Sequence, residues 1–570
     1  MGETIVKTEK SIIEPGRSRT HHLQDYDKVA EHFGWPEALQ GLSMAPSGRW
    51  NAAYECIDRH VDEGYGQKTA LLFTDGDYEQ TYTFSEVKDI TDRYARVLSC
   101  NGVRKGSRVF IFLPKSPDCY FAILAVIKAG AIAGPLFEAF MEDAVKERMV
   151  DCEAQYLITD DELANRVPVN DIPSLRKQWT IDELQEAADH QGEGDSPVVW
   201  LDEEDGMLIH YTSGSTGKPK GVLHAQRAIS HQFITGKWVL DIHEDDVYWC
   251  TSHPGWVTGS VYGVFAPWLN RATVVIHGGR FSATEWYKLI ERFGVTVWYS
   301  APTAFRMLMS EGNLHEKFDL QTLRHVLSVG EPLNPEVIHW AFSELNVRIH
   351  DTWWMTETGG HLIVNIPSAP IKPGSMGRAL PGIEVAILDE KSEPLSSGQV
   401  GQLAVKAPWP GLMKEIWKNK EKYESYFTAN GWYVSGDTAY QDDEGYVFFH
   451  GRSDDLINTA GERVGPFEVE SKLIEHPAVA EAGVIGKPDP VRGEIIKAFI
   501  TLREGFEFSE HLVESIRFFV KRQLSAHASP REIEVVSELP KTRISGKILR
   551  RELKEKELKQ LERLREETNR

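Results

Sequence analysis

The chain has 570 residues, of which 41% are hydrophobic and 26% charged, and a net charge of −22 from 63 basic against 85 acidic side chains. That length exceeds a single hydrophobic core and predicts more than one domain. The acidic excess disfavours nucleic-acid and anionic-membrane partners. Five scattered cysteines with no Cys-x-x-Cys pair exclude the usual zinc spacing and suit a reducing, cytoplasmic setting.

In chain order, residues up to about 45 are polar and irregular, with a helix expected near 27–33. The N-terminal Met-Gly-Glu-Thr-Ile-Val-Lys has no apolar signal core. Residues 108–113 read as a buried strand, Ser116 as the cap of the next helix and Gly130 as its end. The most apolar stretch, 120–137, is broken by Lys128, Gly130, Gly134 and Pro135 and reads as helix then strand, not as a membrane span. Strands are expected at 154–159, 207–210, 272–277, 295–299 and 325–329, with Ser282 and Asn334 at helix N-caps. Strands alternating with helices predict layered α/β sheets, largely parallel. After Gly374 come glycine-bounded β segments at 382–389, 401–406 and 445–450, which predict a β subdomain. A polar break at 451–455 precedes a small α+β unit, with strands at 482–485, 497–502 and 532–536 around a helix at 509–524. A charged helical tail begins near Ile548. The chain thus divides into 1–452 and 453–570.

The run from Tyr211 to Val222 carries the strongest chemical signal. Thr212-Ser213-Gly214-Ser215-Thr216-Gly217-Lys218-Pro219-Lys220 follows an apolar strand and combines glycines for close backbone approach, hydroxyl donors and two cations. This chemistry suits a polyphosphate. A Walker A loop fails at two positions, since Thr212 stands five before Gly217 and Pro219 follows Lys218. A flexible linker would not run straight into ordered sequence. Asp351-Thr352-Trp353-Trp354-Met355-Thr356-Glu357 offers one carboxylate between hydroxyls, enough for a Mg²⁺ that takes its other oxygens from phosphates. Alone it would pass for an ordinary strand. Gly330-Glu331-Pro332 ends a strand, where α/β sheets place ligands, and alone reads as a turn.

These segments, followed in order by Trp432–Asp437, Gly451–Asp454 and Pro540–Lys547, resemble the motifs of the AMP-forming acyl-CoA synthetases of the adenylate-forming superfamily. Residues 249–262, 298–309, 327–340 and 351–359 look most like the members that activate acetate. The resemblance implies a large N-terminal domain of layered α/β sheets plus a β subdomain, with a small mobile C-terminal α+β domain. It implies ATP and CoA as co-substrates, Mg²⁺ as cofactor, and a small carboxylate as the acid. It assigns Thr216 and Glu357 to the metal, Asp437 to the ribose hydroxyls, and Arg452 and Arg463 to the nucleotide. Asp454 becomes the hinge, and Lys547 the catalytic lysine in place of Lys541. Ala460, Gly461 and Lys521 fall to CoA. Val257, Thr258, Val329 and Trp354 become the acyl pocket, with the Trp354 indole limiting chain length to acetate or propionate. A homo-oligomer is compatible with the family, as is a lysine acetyltransferase and deacetylase pair acting on Lys547.

The chain departs from the pattern at three places. Three residues, not two, separate Thr542 from Gly546; Ala460 replaces a serine; and Lys521 replaces an arginine. Within the superfamily, loading of a carrier protein would need an acceptor segment, and an oxygenase a larger pocket. A catalytically dead nucleotide-binding module would have lost Lys547 or Glu357.

Overall fold

Helix Pro117–Lys128 shows how the sequence builds the large domain. Pro117 supplies a preset φ at the first helical position, and every residue of the helix except Asp118 is buried. It packs in one core cluster with Val109, Ile111 and Leu208 of one sheet and Leu71, Val274 and Ile276 of another. Each large apolar side chain so buried contributes roughly 1.5–3 kcal/mol. The last residue, Lys128, is a buried cation. It is held by Asp58 at 2.8 Å, Asp92 at 2.6 Å and the Thr91 hydroxyl at 2.9 Å, the paired environment such a charge requires. Gly130, at φ +77°, turns the chain out of the helix.

The computed structural model describes residues 12–15, 21–43, 48–76, 78–190, 197–213, 218–453, 455–459, 462–489, 492–524, 528–541 and 548–568, without the side chains of Ser213, Glu462, Arg463 and 561–568. Among the described residues, a nine-stranded sheet has a parallel centre. It runs Ile349–Trp353, His325–Ser328, Val297–Ser300, Val247–Cys250, Thr273–His277, Thr69–Thr74. A seven-stranded sheet carries Ile132–Pro135 at its centre beside Arg108–Phe112 and ends in the antiparallel hairpin Gly206–Ser213/Pro219–Ala225, with Glu415–Ile416 on the outer edge. The expected β subdomain is a four-stranded antiparallel sheet that includes Gly401–Lys406 and Trp432–Gln441. Beyond it, five strands and helices Pro466–Ile474 and Glu510–Gln523 form the smaller C-terminal domain around its own core. Among the described residues no helix is long and apolar enough to cross a membrane.

The expected elements are present, and the differences are local. Ser282 caps its helix by accepting from the Glu285 N–H. Ser116 and Asn334 occupy cap positions without a side-chain cap bond, and Pro117 and Pro335 supply the preset φ that starts each helix. Asn334 instead donates to Ser471 Oγ of the C-terminal domain at 2.9 Å.

Several histidines are buried and held neutral. Burial lowers the pKa of His60, His210, His253 and His325 to about 3, and of His224 and His231 to about 4, from an ordinary 6.5. Between those values the unfolded chain binds about one more proton per histidine than the folded one, so stability is full above pH 6.5 and falls as the pH drops. The thermal midpoint should decline steadily from pH 6.5 to 4.5. Calorimetry at pH 5.5 in buffers of differing ionisation enthalpy should register net proton uptake on unfolding.

Candidate active site

Neighbouring parallel strands of the nine-stranded sheet deliver their carboxyl ends to one edge. His325–Ser328 runs into Val329 and Gly330-Glu331-Pro332, and Ile349–Trp353 runs into Trp354–Gly359. Val247–Cys250 runs toward Val257 and Thr258, which begin the next helix. This is where open α/β sheets place ligands. Gly330 adopts φ +88°, with open space where a Cβ would stand. Lys115 secures the edge. It is buried, its ammonium donates to the carbonyls of Cys250 at 3.0 Å and Thr251 at 2.9 Å, and burial lowers its pKa to about 8.

On the nucleotide side, Trp353 Nε1 donates to Asp437 Oδ2 at 2.8 Å, and Arg452 Nη1 to Asp437 Oδ1 at 3.1 Å. The bond joins the nine-stranded sheet to the β subdomain across 84 residues of chain. Asp351 is buried, and burial pushes its carboxyl well above the usual range, opposed by the Thr352 N–H that donates to it at 3.1 Å. Glu331 follows the strand end, where its carboxylate accepts from Arg306 at 2.9 Å and from the Thr303 hydroxyl.

The hairpin brings in the phosphate-type loop. Lys220 pairs with Thr212 across it. Gly214, Ser215, Thr216 and Gly217 lie outside the described residues, as does the Ser213 side chain. Two bonds tie the hairpin to the Thr-Glu-Thr segment. His224 Nε2 donates to Thr356 O at 2.8 Å, and Met413, just before the strand that pairs with the hairpin, donates its N–H to Glu357 O at 2.9 Å. Gly359, at φ +68°, makes the approach feasible, since a Cβ there would lie 2.0 Å from Gly411 O. Glu357 is buried and its Oε1 accepts from Tyr426 OH at 3.2 Å. Lys422, on helix Lys420–Glu424, stands with its Nζ 4.6 Å over the Tyr426 ring. Burial lowers the pKa of Lys220, and the nearby Lys422 cation lowers it further, against the raising effect of Glu357. Two cations converge there on one acidic group, which leaves a surplus of positive charge for an anion.

The acyl side holds Val329, Val257, Trp353, Trp354 and Met355 in one apolar cluster. Trp354 is half-buried, while Trp353 is buried. Thr258 sits beside Val257, also half-buried. In the C-terminal domain, Lys521 lies exposed in the last turn of helix Glu510–Gln523. Asp454, Ala460, Gly461 and Lys547 lie outside the described residues, as does the Arg463 side chain. Lys541 is paired with Glu481 at 2.6 Å.

Among the described residues one histidine–carboxylate group, His22, Asp241 and His243, has ligand atoms within 4.8 Å of one another. Its imidazoles are stacked at 4.2 Å and 18°, so their lone pairs do not converge, and Arg324 Nη1 stands 3.2 Å from Asp241 Oδ2. The group is an ion-paired dock for the N-terminal segment, which His22 reinforces by donating its N–H to Asp241 Oδ1 at 2.9 Å.

Lys422, Lys115 and His224 belong to no motif, and sequence reasoning missed all three. Lys422 carried a faint signal as a lysine two residues past Lys420 on a short helix, while Lys115 and His224 carried none.

A carboxylate segment tied to the hairpin Gly206–Ser213/Pro219–Ala225 and an Asp–Arg pair on a β subdomain, set near parallel strand ends, agree with the family comparisons. The AMP-binding enzyme family matches residues 58–417, and the AMP-binding enzyme C-terminal domain matches residues 468–547. The chain belongs to the AMP-binding enzymes, the adenylate-forming superfamily. It is 58% identical over 555 residues to the acetyl-coenzyme A synthetase of Bacillus subtilis strain 168, covering 95% of this chain and 97% of that protein. It is 40% identical over 574 residues to the acetyl-coenzyme A synthetase of Rubrobacter xylanophilus, covering 94% and 88%. Within the superfamily its place is therefore among the acetyl-coenzyme A synthetases. Among solved structures it matches a Brucella canis acyl-CoA synthetase with a TM-score of 0.74 at 34% identity, covering 95% of this chain and 100% of that one. It also matches the anthranilate CoA ligase AuaEII in complex with anthranoyl-AMP, with a TM-score of 0.82 at 29% identity, covering 89% and 96%.

If Lys422 serves an anion beside Lys220, Lys422→Ala should raise the KM for Mg-ATP about tenfold, the order expected for one charge-assisted hydrogen bond. The KM for the acid should hold within about twofold. Initial rates of pyrophosphate release at varied ATP check this, and an unchanged ATP dependence would remove Lys422 from the site.

Proposed function

We propose that this chain converts a short carboxylic acid, acetate first and propionate next, with ATP and CoA into acyl-CoA, AMP and pyrophosphate through an acyl adenylate. The observation that supports the reading is the strand Ile349–Trp353, which bonds Asp437 through Trp353 and leads directly into Trp354 and into Glu357, whose charge acts on Lys220. Its support in the comparisons is the 58% identity to the Bacillus subtilis enzyme over nearly the whole chain.

In the first step a carboxylate oxygen attacks the α-phosphorus, a P–O bond forms, and the bond to pyrophosphate breaks. In the second, the CoA sulfur attacks the acyl carbon, the thiol proton is lost, and the C–O bond to AMP breaks. The protein's work is to align anions and offset their charge. Thr212, Ser213, Lys218, Lys220 and the residues 214–217 would cradle the β- and γ-phosphates. Asp437 would accept from both ribose hydroxyls, kept in place by Trp353 and Arg452. Asp351, Thr352, Gly330 and Pro332 would border the adenine side, with Met355, Thr356 and Arg463 completing the nucleotide contacts. The buried Glu357 carboxylate beside Lys220 suits Mg²⁺, with Thr216 as its hydroxyl partner, since this ion takes few carboxylates and several phosphate oxygens. When bound, the ion would neutralise charge on the triphosphate.

Lys547 would bridge the carboxylate and the α-phosphate. Rotation of the C-terminal domain about Asp454 would then withdraw Lys547 and bring Ala460 and Gly461 against the thiol arm, with Lys521 near the CoA phosphate. The setting would be cytoplasmic. A homo-oligomer and reversible acetylation of Lys547 would be compatible with this chemistry.

Acid-dependent turnover should yield AMP and pyrophosphate, and ADP with phosphate would refute the adenylate route. Lys547→Ala should cut acyl-adenylate formation about 10²–10³-fold, yet still turn supplied acetyl-AMP and CoA into thioester. The same pattern in Lys541→Ala instead would reverse the lysine assignment. Trp354→Gly should shift preference toward acids several carbons longer, because a packed wall excludes by shape where an added methylene is worth only about 1–3 kcal/mol. An unchanged ranking of acids in a folded variant places the pocket floor elsewhere.

A further inference from the structure

The Trp354 indole is held from behind. Tyr299 lies on the buried strand Val297–Ser300, and its own ring is fully buried. Its hydroxyl meets three groups: Thr352 Oγ1 at 2.7 Å, His361 Nε2 at 2.9 Å and Trp354 Nε1 at 3.3 Å. Proton counting gives each bond a direction. An indole N–H can only donate, so Tyr299 accepts from Trp354. Thr352 Oγ1 donates to Ser328 O at 2.7 Å, so it accepts from Tyr299. The single Tyr299 proton is then committed, and His361 must donate from Nε2. Burial holds that imidazole neutral, its pKa far below the ordinary value.

The indole is also clamped by rings. Tyr262 meets it edge-on at 5.0 Å and 83°, and His361 at 5.8 Å and 87°. Tyr262 stacks on His361 at 3.8 Å and its hydroxyl accepts the His361 backbone N–H at 2.7 Å. The Tyr299 hydroxyl touches both Trp354 and Thr352. It therefore links the wall of the acyl pocket to the strand that carries the nucleotide segment.

We propose that Tyr299 is a positioning residue for chain-length selection: its hydroxyl fixes the Trp354 indole across the acyl pocket and ties that wall to Thr352. The proposal rests on the reading of Trp354 as the pocket wall. Without the hydroxyl, the indole N–H loses its acceptor and Thr352 Oγ1 its donor. The ring can then turn toward another partner, and the cavity no longer has one depth.

The test is a double-mutant cycle of Tyr299→Phe and Trp354→Gly. It is read as kcat/KM for acetate, propionate, butyrate and valerate at saturating ATP and CoA, with the KM for ATP measured alongside, at a temperature below each variant's unfolding midpoint. Tyr299→Phe should lower the acetate-to-butyrate ratio about tenfold while the KM for ATP moves less than about threefold. In the Trp354→Gly background the same change should leave the ratio untouched, because the residue it acts through is gone. A uniform loss for all acids would mean a purely structural role and overturn the proposal, as would an equal shift of the ratio in both backgrounds. In either case a changed ranking in Trp354→Gly alone preserves the wall assignment. A wild-type ranking in Trp354→Gly overturns the wall and the positioning role together.

Discussion

One hydrogen bond holds the cleft together. Trp353 Nε1 to Asp437 Oδ2 is buried at both ends and crosses from the parallel sheet to the β subdomain. Asp437 also receives Arg452, at the end of the next strand of the subdomain. An unpaired carboxylate at that depth would be costly, and the bond adds direction to an apolar contact in which Ile363 and Val364 share one core with Leu403, Val405 and Tyr433. From the same strand, Thr352 points to Tyr299 and Ser328, and the chain beyond carries Trp354 and Glu357. A displacement of Ile349–Trp353 would thus disturb Asp437, Trp354 and Glu357 together.

The hairpin is secured by a separate logic. Its strands belong to the other large sheet, and it reaches the cleft through His224 to Thr356 O and Met413 to Glu357 O. Both acceptors are backbone carbonyls, so these ties fix where the segment runs without consuming the side chains it presents. The Glu357 carboxylate is buried, with only Tyr426 OH donating to it among the described contacts.

Much of this could be read from the chain. Periodicity located the strands and the buried helix Pro117–Lys128, and contiguous motifs located the loop, the Thr-Glu-Thr segment and Asp437, because local sequence carries their chemistry. Capping was read less well. Ser116 and Asn334 have suitable side chains at cap positions, yet neither makes a side-chain cap bond, and Asn334 bonds to the C-terminal domain instead. Glu331 was legible as a strand-end acid but not as the partner of Arg306, 25 residues earlier. Lys115, His224 and Tyr299 were illegible for a shared reason. Each makes its contacts with residues far along the chain, and none sits in a pattern that singles it out.

The path Trp354–Tyr299–Thr352 has a consequence for thermodynamic linkage. A ligand that orders Thr352 restricts Tyr299 and, through it, the indole, and an acid that packs against the indole restricts the same path from the other end. Whatever free energy one ligand contributes to the binding of the other must be returned in equal measure when their order is reversed. Part of that coupling can come from rigidity already established by the first ligand, without any visible displacement of the backbone. Acid and nucleotide would then recognise each other's presence before any bond between them has formed.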